Sequence, residues 1–183
     1  MSRLFKCGKP NTKVILSMRT IVSYFNNLFI RLLPETKFFG LKRTLWKMAG
    51  VSIEDNVRIC SSVKILGAGK LHIGCNTWVG TDVLINASAE VVIGRDCDIA
   101  PRVFIGDGTH IITPERQRVA DLEVSIPIHI GNGCWLCANS SILPGVKLGN
   151  KCVVAAGAIV SNSFEDDMSL IAGVPAIVKK KLK

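Results

Sequence analysis

Ile93-Gly94-Arg95-Asp96-Cys97-Asp98-Ile99-Ala100-Pro101-Arg102-Val103-Phe104-Ile105 repeats an aliphatic residue at every sixth position, with Cys97 and Val103 four places after their openers. Outward from this stretch the frame continues at Ile53, Ile59, Ile65, Ile73, Val79 and Ile85 on one side. On the other side it runs through Ile130, Leu136, Ile142, Leu148, Val154 and Val160. All fifteen openers are Ile, Leu or Val, and among the residues four later only Phe164 is large. An α-helix brings apolar residues to one face at spacings of three, four and seven, so a period of six excludes it. Short extended segments joined by tight corners satisfy that period, and a fixed period marks a repeat architecture.

Three hexads make a larger unit. Lys70-Leu71-His72-Ile73-Gly74, Glu90-Val91-Val92-Ile93-Gly94 and Pro127-Ile128-His129-Ile130-Gly131 each open one. If every hexad is a strand and a corner, the opener and the fifth residue both point inward, and three hexads close one triangular coil. The fifth residue is small because neighbouring sides crowd at a corner. Glycines after the openers, such as Gly74, Gly80, Gly94, Gly106, Gly131 and Gly149, suit corners needing positive φ or close backbone approach. Ile93 and Ile130 stand thirty-seven residues apart, so a loop, residues 107–127, is inserted between successive coils. The expectation is an all-β chain of about five coils with that loop, preceded by a helical segment.

With these residues in view, the sequence resembles the hexapeptide-repeat acyltransferases over roughly residues 51–178. Thr109-His110, Thr113-Pro114-Glu115-Arg116, the Ile130-to-Trp135 segment and Gly173-Val174-Pro175-Ala176 are similar to the O-acetyltransferases of sugars and xenobiotics. The resemblance implies a left-handed parallel β-helix, an exception to the right-handed crossover rule. It also implies acetyl-CoA as co-substrate and a homotrimer with sites between adjacent subunits. By position it assigns Trp135, Ala138, Ala156 and Ser161 to the coenzyme arm and Asn86 to the acceptor. One departure stands out: the family follows Gly-x-Pro-Ala with an Arg for the coenzyme phosphates, and this chain has Ile177. Lys179 and Lys180, in a Lys-rich tail at 179–183, are the candidate substitutes, although lysine lacks the fork of arginine.

Acetyl transfer from a thioester to an alcohol needs a base near neutrality, and unperturbed histidine titrates at about 6.5. His110 is the histidine of the inserted loop and the candidate general base; long loops on rigid scaffolds carry function. His72 and His129 each precede an opener, where alternation points them outward as surface residues. Arg116 of the same loop is the candidate acceptor contact. Cys134-Trp135-Leu136-Cys137 is formally a CxxC, but the hexad frame turns Cys134 inward as a small buried residue, so neither redox nor metal chemistry is expected. An acetyl-cysteine route through Cys137 has no activating base beside it in sequence.

The net charge of +9 lies entirely in residues 1–50, which hold ten Lys or Arg against Glu35; residues 51–183 balance thirteen against thirteen. A neutral body indicates no nucleic-acid surface. Val14 to Leu33 is apolar with helical character and stops at Pro34. Arg19 and the Asn26-Asn27 pair argue against a bilayer span. Such a segment caps the open end of a repeat array, and Lys13, Arg19, Arg31, Lys37, Lys42, Arg43 and Lys47 would also draw it to anionic lipid. Seven cysteines and no signal-peptide pattern indicate a reducing cytoplasm, with the inner face of the membrane as the peripheral contact.

The reading is an acetyltransferase acting on a saccharide hydroxyl, of a surface-polysaccharide precursor. N-acetylation of an amino sugar and xenobiotic acetylation fit the same loop. A zinc lyase of the γ-carbonic-anhydrase type needs three histidines with two closely spaced, and His110 has Ile105 and Glu115 five residues away. A non-catalytic trimeric scaffold would have no use for the His110 loop.

Overall fold

The openers make the core: all fifteen, from Ile53 to Val160, are no more than 5% exposed. The structure, a computed structural model, describes residues 18–183. Short strands stack coil upon coil into three parallel sheets. The first face stacks Ser52–Ile53, Lys70–Ile73, Glu90–Ile93, Ile128–Ile130 and Lys147–Leu148. The second stacks Arg58–Ile59, Trp78–Val79, Asp98–Ile99, Trp135–Leu136, Val153–Val154 and Ser169–Gly173. The third stacks Lys64–Leu66, Leu84–Asn86, Phe104–Gly106, Ser141–Ile142 and Ile159–Val160. Openers pair with openers across coils, as Ile53 with Ile73 and Ile73 with Ile93. Five full coils and part of a sixth result.

The corners decide between the two roles expected of glycine, and they break the fifth-residue rule at three places. Glycines after the openers have no positive φ; they serve close approach, since a Cβ on Gly131 would sit 2.5 Å from the Gly149 carbonyl oxygen. Left-handed backbone falls instead on the fourth residue of the hexad, at Asn56, Asn76, Asp82, Asp96, Arg102, Gly133, Asn139, Gly145, Lys151 and Gly157. Asn, Asp and Gly enter that region at the least cost. The fifth-residue rule also fails for Gly69, Ala89 and Thr109, which do not point into the core. There the third-to-first corner carries two extra residues, or the whole insertion, and Leu71, Val91 and Ile128 fill the interior instead.

At the first-to-second corner the fifth residues form a column: Thr77, Cys97, Cys134, Cys152 and the equivalent Ser169, all buried. Each donates to a carbonyl near it: Thr77 Oγ1 to Gly94 at 2.9 Å, Cys97 Sγ to Gly131 at 3.2 Å, Cys134 Sγ to Gly149 at 3.1 Å. Ser169 Oγ donates to Asp166 at 3.0 Å. The neighbouring Cys152 and Cys97 thiols, with burial, hold Cys134 far above the ordinary thiol range. It is an inert structural donor.

The N-terminal segment folds as two helices, α1 (Met18–Ile30) and α2 (Phe39–Met48), separated at Pro34. Val14 to Ser17, with Lys13, lie outside the described residues, as does the side chain of Arg19. These helices close the open end by supplying donors to its carbonyls. Lys42 Nζ donates to Ile59 at 3.3 Å, and to Pro34 and Glu35 at 3.1 and 2.7 Å. Arg43 Nη1 reaches Val57 at 3.0 Å. The Asn27 amide donates to the Ile65 carbonyl at 2.9 Å and accepts from the Ile65 N–H at 3.2 Å, as a neighbouring strand would. Lys42 is fully buried, and burial lowers its pKa. It is therefore a cap and unavailable to lipid, and Arg43 is engaged in the same way. At the other end the Lys-rich terminus is no tail: Ala176–Lys181 returns antiparallel on Ser169–Gly173 as an edge strand. Lysines on such an edge discourage further strand pairing.

Gly131→Ala should cost about 1–3 kcal/mol, because backbone must move to admit the methyl group. Gly157→Asn should be near neutral, because nothing lies within 4 Å of its Cβ position and Asn139 already holds φ 59° in the corresponding corner one coil earlier. Denaturant unfolding of the two variants measures the difference, and equal stabilities would refute the close-approach account of Gly131.

Candidate active site

The inserted segment leaves the third-to-first corner after Phe104–Gly106 and forms a hairpin, Gly108–Ile112 against Ala120–Ser125. Thr113-Pro114-Glu115-Arg116 turns it, with the Arg116 N–H on the Thr113 carbonyl at 3.1 Å. Pro114 supplies the fixed φ of the second turn residue. At the root, Asp107 is fully buried, and its carboxylate accepts the N–H groups of Ser88 and Ala89, both at 2.7 Å. The Asp107 carbonyl accepts the Ile126 N–H at 2.8 Å. Both hairpin strands are thus tied to the corner of the preceding coil. Sequence reasoning gave Asp107 no role; an acid between Gly106 and Gly108 was the available signal.

His110 stands on the outgoing strand, exposed, with a bulge between it and Ile112. Its Nδ1 lies 3.1 Å from the Asp121 carbonyl oxygen. A carbonyl only accepts, so Nδ1 carries the proton, and the neutral ring presents Nε2 as an unprotonated base. The Asp121 carboxylate, meanwhile, accepts from Arg116 Nη1 at 2.9 Å and from Thr113 Oγ1 at 3.2 Å. One residue holds the turn with its side chain and sets the tautomer of His110 with its backbone. Arg116, expected at the acceptor, is engaged within the hairpin.

Asn86 lies beside the hairpin root, its Nδ2 3.7 Å from the position a Cβ on Gly108 would take. Ser161 follows the last strand of the third face and is exposed on the same edge three coils on from Asn86. Trp135, 52% exposed, lies on the second face between Asp98 and Val153. Ala138 and Ala156 follow at the second-to-third corner, where the Gly157 N–H donates to the Ala138 carbonyl at 3.0 Å. The proposed residues therefore fall into two groups on opposite edges of the third face. Lys179 and Lys180 are exposed on the edge strand. Cys137 is half-buried, and burial raises its thiol pKa, which suits a packing residue better than a nucleophile. His72, on the first face, bonds Ser52 Oγ at 3.0 Å and meets Glu54 at 3.4 Å, away from the hairpin.

The profile of the family "Bacterial transferase hexapeptide (six repeats)" matches residues 127–162. Over 134 residues the chain is 33% identical to the "Putative colanic acid biosynthesis acetyltransferase WcaF" of Escherichia coli (strain K12), covering 73% of this chain and 71% of that one. It is 37% identical to the "Putative acetyltransferase YJL218W" of Saccharomyces cerevisiae over 61% of its own length, spanning 56%, little more than half, of the yeast protein. Among solved structures, a hexapeptide-repeat acetyltransferase of Vibrio cholerae complexed with acetyl coenzyme A superposes with a TM-score of 0.73 at 20% identity, covering 94% and 91% of the two chains. That likeness shows the fold, a left-handed parallel β-helix.

Arg116→Gln removes one side of the turn clamp and should lower kcat about tenfold through misplacement of His110, with the acceptor KM little changed. Steady-state kinetics over a range of acceptor concentrations checks this. A raised KM at constant kcat would return Arg116 to the acceptor.

Proposed function

This chain belongs to the hexapeptide-repeat acetyltransferase family, and we infer that it transfers acetyl from acetyl-CoA to a saccharide hydroxyl, of a surface-polysaccharide precursor. The observation that carries this reading is the His110–Asp121 carbonyl hydrogen bond, which makes Nε2 the basic nitrogen of the neutral ring on a hairpin clamped to a corner of the stack. Nε2 takes the proton of the acceptor hydroxyl as its oxygen attacks the thioester carbonyl. The C–S bond then breaks, and the imidazolium returns the proton to the departing thiolate. Transfer is direct, through a ternary complex. The saccharide acceptor is supported by the colanic acid relative.

Asn86, beside the hairpin root, orients the acceptor. Trp135, Ala138, Ala156 and Ser161 line the path of the pantetheine arm, and Lys179 and Lys180 meet the coenzyme phosphates as point charges. A homotrimer reconciles the two groups of residues, because an adjacent copy brings one protomer's hairpin to the other's corner. The hairpin itself favours such cover: Ile111, Ile112, Val119 and Leu122 are all exposed in the single chain. The reaction takes place in the cytoplasm, where residues 1–50 can meet the inner face of the membrane.

Incubation with acetyl-CoA and a panel of saccharides, following thiol release and product mass, tests the reading and separates ester from amide products. His110→Ala should lower kcat by roughly 10²–10⁴-fold with the trimer intact, while Cys137→Ser stays within a few-fold of the parent. Unchanged turnover in folded His110→Ala would overturn the mechanism.

A further inference from the structure

Helix α1 is turned with its apolar side outward. Its inward side carries Asn26 and Ile30, both buried, and the half-buried Val22 and Asn27. The amide of Asn26 donates to the Leu45 carbonyl at 2.6 Å, and Asn27 pairs with Ile65. Outward stand Ile21, Tyr24, Phe25, Leu28, Phe29 and, just beyond the helix, Leu32, at the three-and-four spacing of a single helical stripe. Phe25 is 60% exposed and Leu32 79%. Beside the stripe, a groove of about 320 Å³ runs between α1 and the edge strand Lys64–Leu66, with Tyr24, Leu28 and Arg31 on its helical wall.

We propose that this face of α1 is a docking surface for an anionic lipid bilayer, lying in the headgroup plane. The partner follows from charge as well as from the stripe. Residues 1–50 hold the whole net charge of +9, and α1 contains no acidic residue. Within the described part of the segment, Arg31, Lys37 and Lys47 are exposed, while Lys42 and Arg43 are engaged by carbonyls. A second copy docking by the same face would bring the same cations together, whereas an anionic surface neutralises them and accepts aromatic and aliphatic side chains at the same depth. Among the described residues no helix is long and apolar enough to cross a membrane. The proposal deepens the membrane contact named above and is independent of how His110 works.

Co-sedimentation of the full chain with phosphatidylcholine vesicles, with and without phosphatidylglycerol, tests it. The parent should bind the anionic vesicles at least about tenfold more than the neutral ones and release as salt rises. Phe25→Ser/Leu28→Ser/Phe29→Ser should abolish binding, and Arg31→Gln/Lys37→Gln/Lys47→Gln should weaken the anionic preference severalfold, the cations of residues 1–19 being left in place. Circular dichroism and sedimentation velocity establish that both variants keep the fold and assembly of the parent. Thiol release with a soluble acceptor should stay unchanged in both, so loss of activity would bear on the catalytic reading and loss of binding on this one. A parent that ignores anionic vesicles overturns the proposal. So does a serine variant that still binds them, or one whose oligomer dissociates while lipid binding persists, which would assign the face to a second copy.

Discussion

Backbone-to-backbone contact between coils at the first corner governs the molecule. Strands in a sheet stand about 4.8 Å apart, and a corner must keep that spacing while the chain turns. A Cβ on Gly74, Gly94, Gly131 or Gly149 would lie within 2.7 Å of an atom of the next coil. With no side chain there, the backbone carbonyls and the N–H groups beside them are open to partners from both sides. From within, thiols and hydroxyls donate to them. On the outer side, the Asn132 amide oxygen accepts the Arg95 N–H, the Asn150 amide oxygen that of Asn132, and Asp167 that of Asn150. That last hydrogen bond is the main reason the Asp167 carboxyl lies below the usual range. Burial makes the inner pairings obligatory, whereas the outer ones lie at the exposed surface.

A stack held this way offers the inserted hairpin a well-bonded support, on which the proposed role of His110 depends. The hairpin departs from one corner and is fastened to the coil beneath by the two oxygens of Asp107. His110 then needs only a single further restraint, the Asp121 carbonyl, to fix its ring tautomer. A general base must be placed to within a fraction of a hydrogen-bond length, and two nested restraints on a stiff support achieve this better than a free loop.

The fifteen openers were legible because burial writes itself directly into residue type at a fixed period. The corners were harder. Gly after the opener is conspicuous and was open to two explanations, while the true left-handed position mixes Asn and Asp with Arg102 and Lys151, so its signature is diluted. The two-residue lengthening at the third corner hid Leu71 and Val91 behind Gly69 and Ala89. In the insertion, Thr113-Pro114 was read only for its family resemblance, and Ile111 and Ile112 in succession blur strand alternation around the bulge. His110 could be singled out as a candidate from its chemistry. Its partner could not, because a backbone carbonyl carries no residue signature, and Arg116 could be identified as a cation without any sign that Asp121 would hold it.

The N-terminal charge shows why a count of cations does not give their task. The first coil of an open-ended stack presents carbonyls of Val57, Ile59 and Ile65 with no preceding strand, and each needs a donor. Arg43, Lys42 and Asn27 supply them. Once the helices are oriented by those polar contacts, their apolar residues cannot all face the body as well. Trp46 and Ile30 still find the core, but the stripe from Ile21 to Leu32 has only the outside left. An exposed apolar helix face in this chain is therefore the direct consequence of closing a β-helix with hydrogen-bond donors, and the same rotation that seals the stack leaves that face beside Arg31.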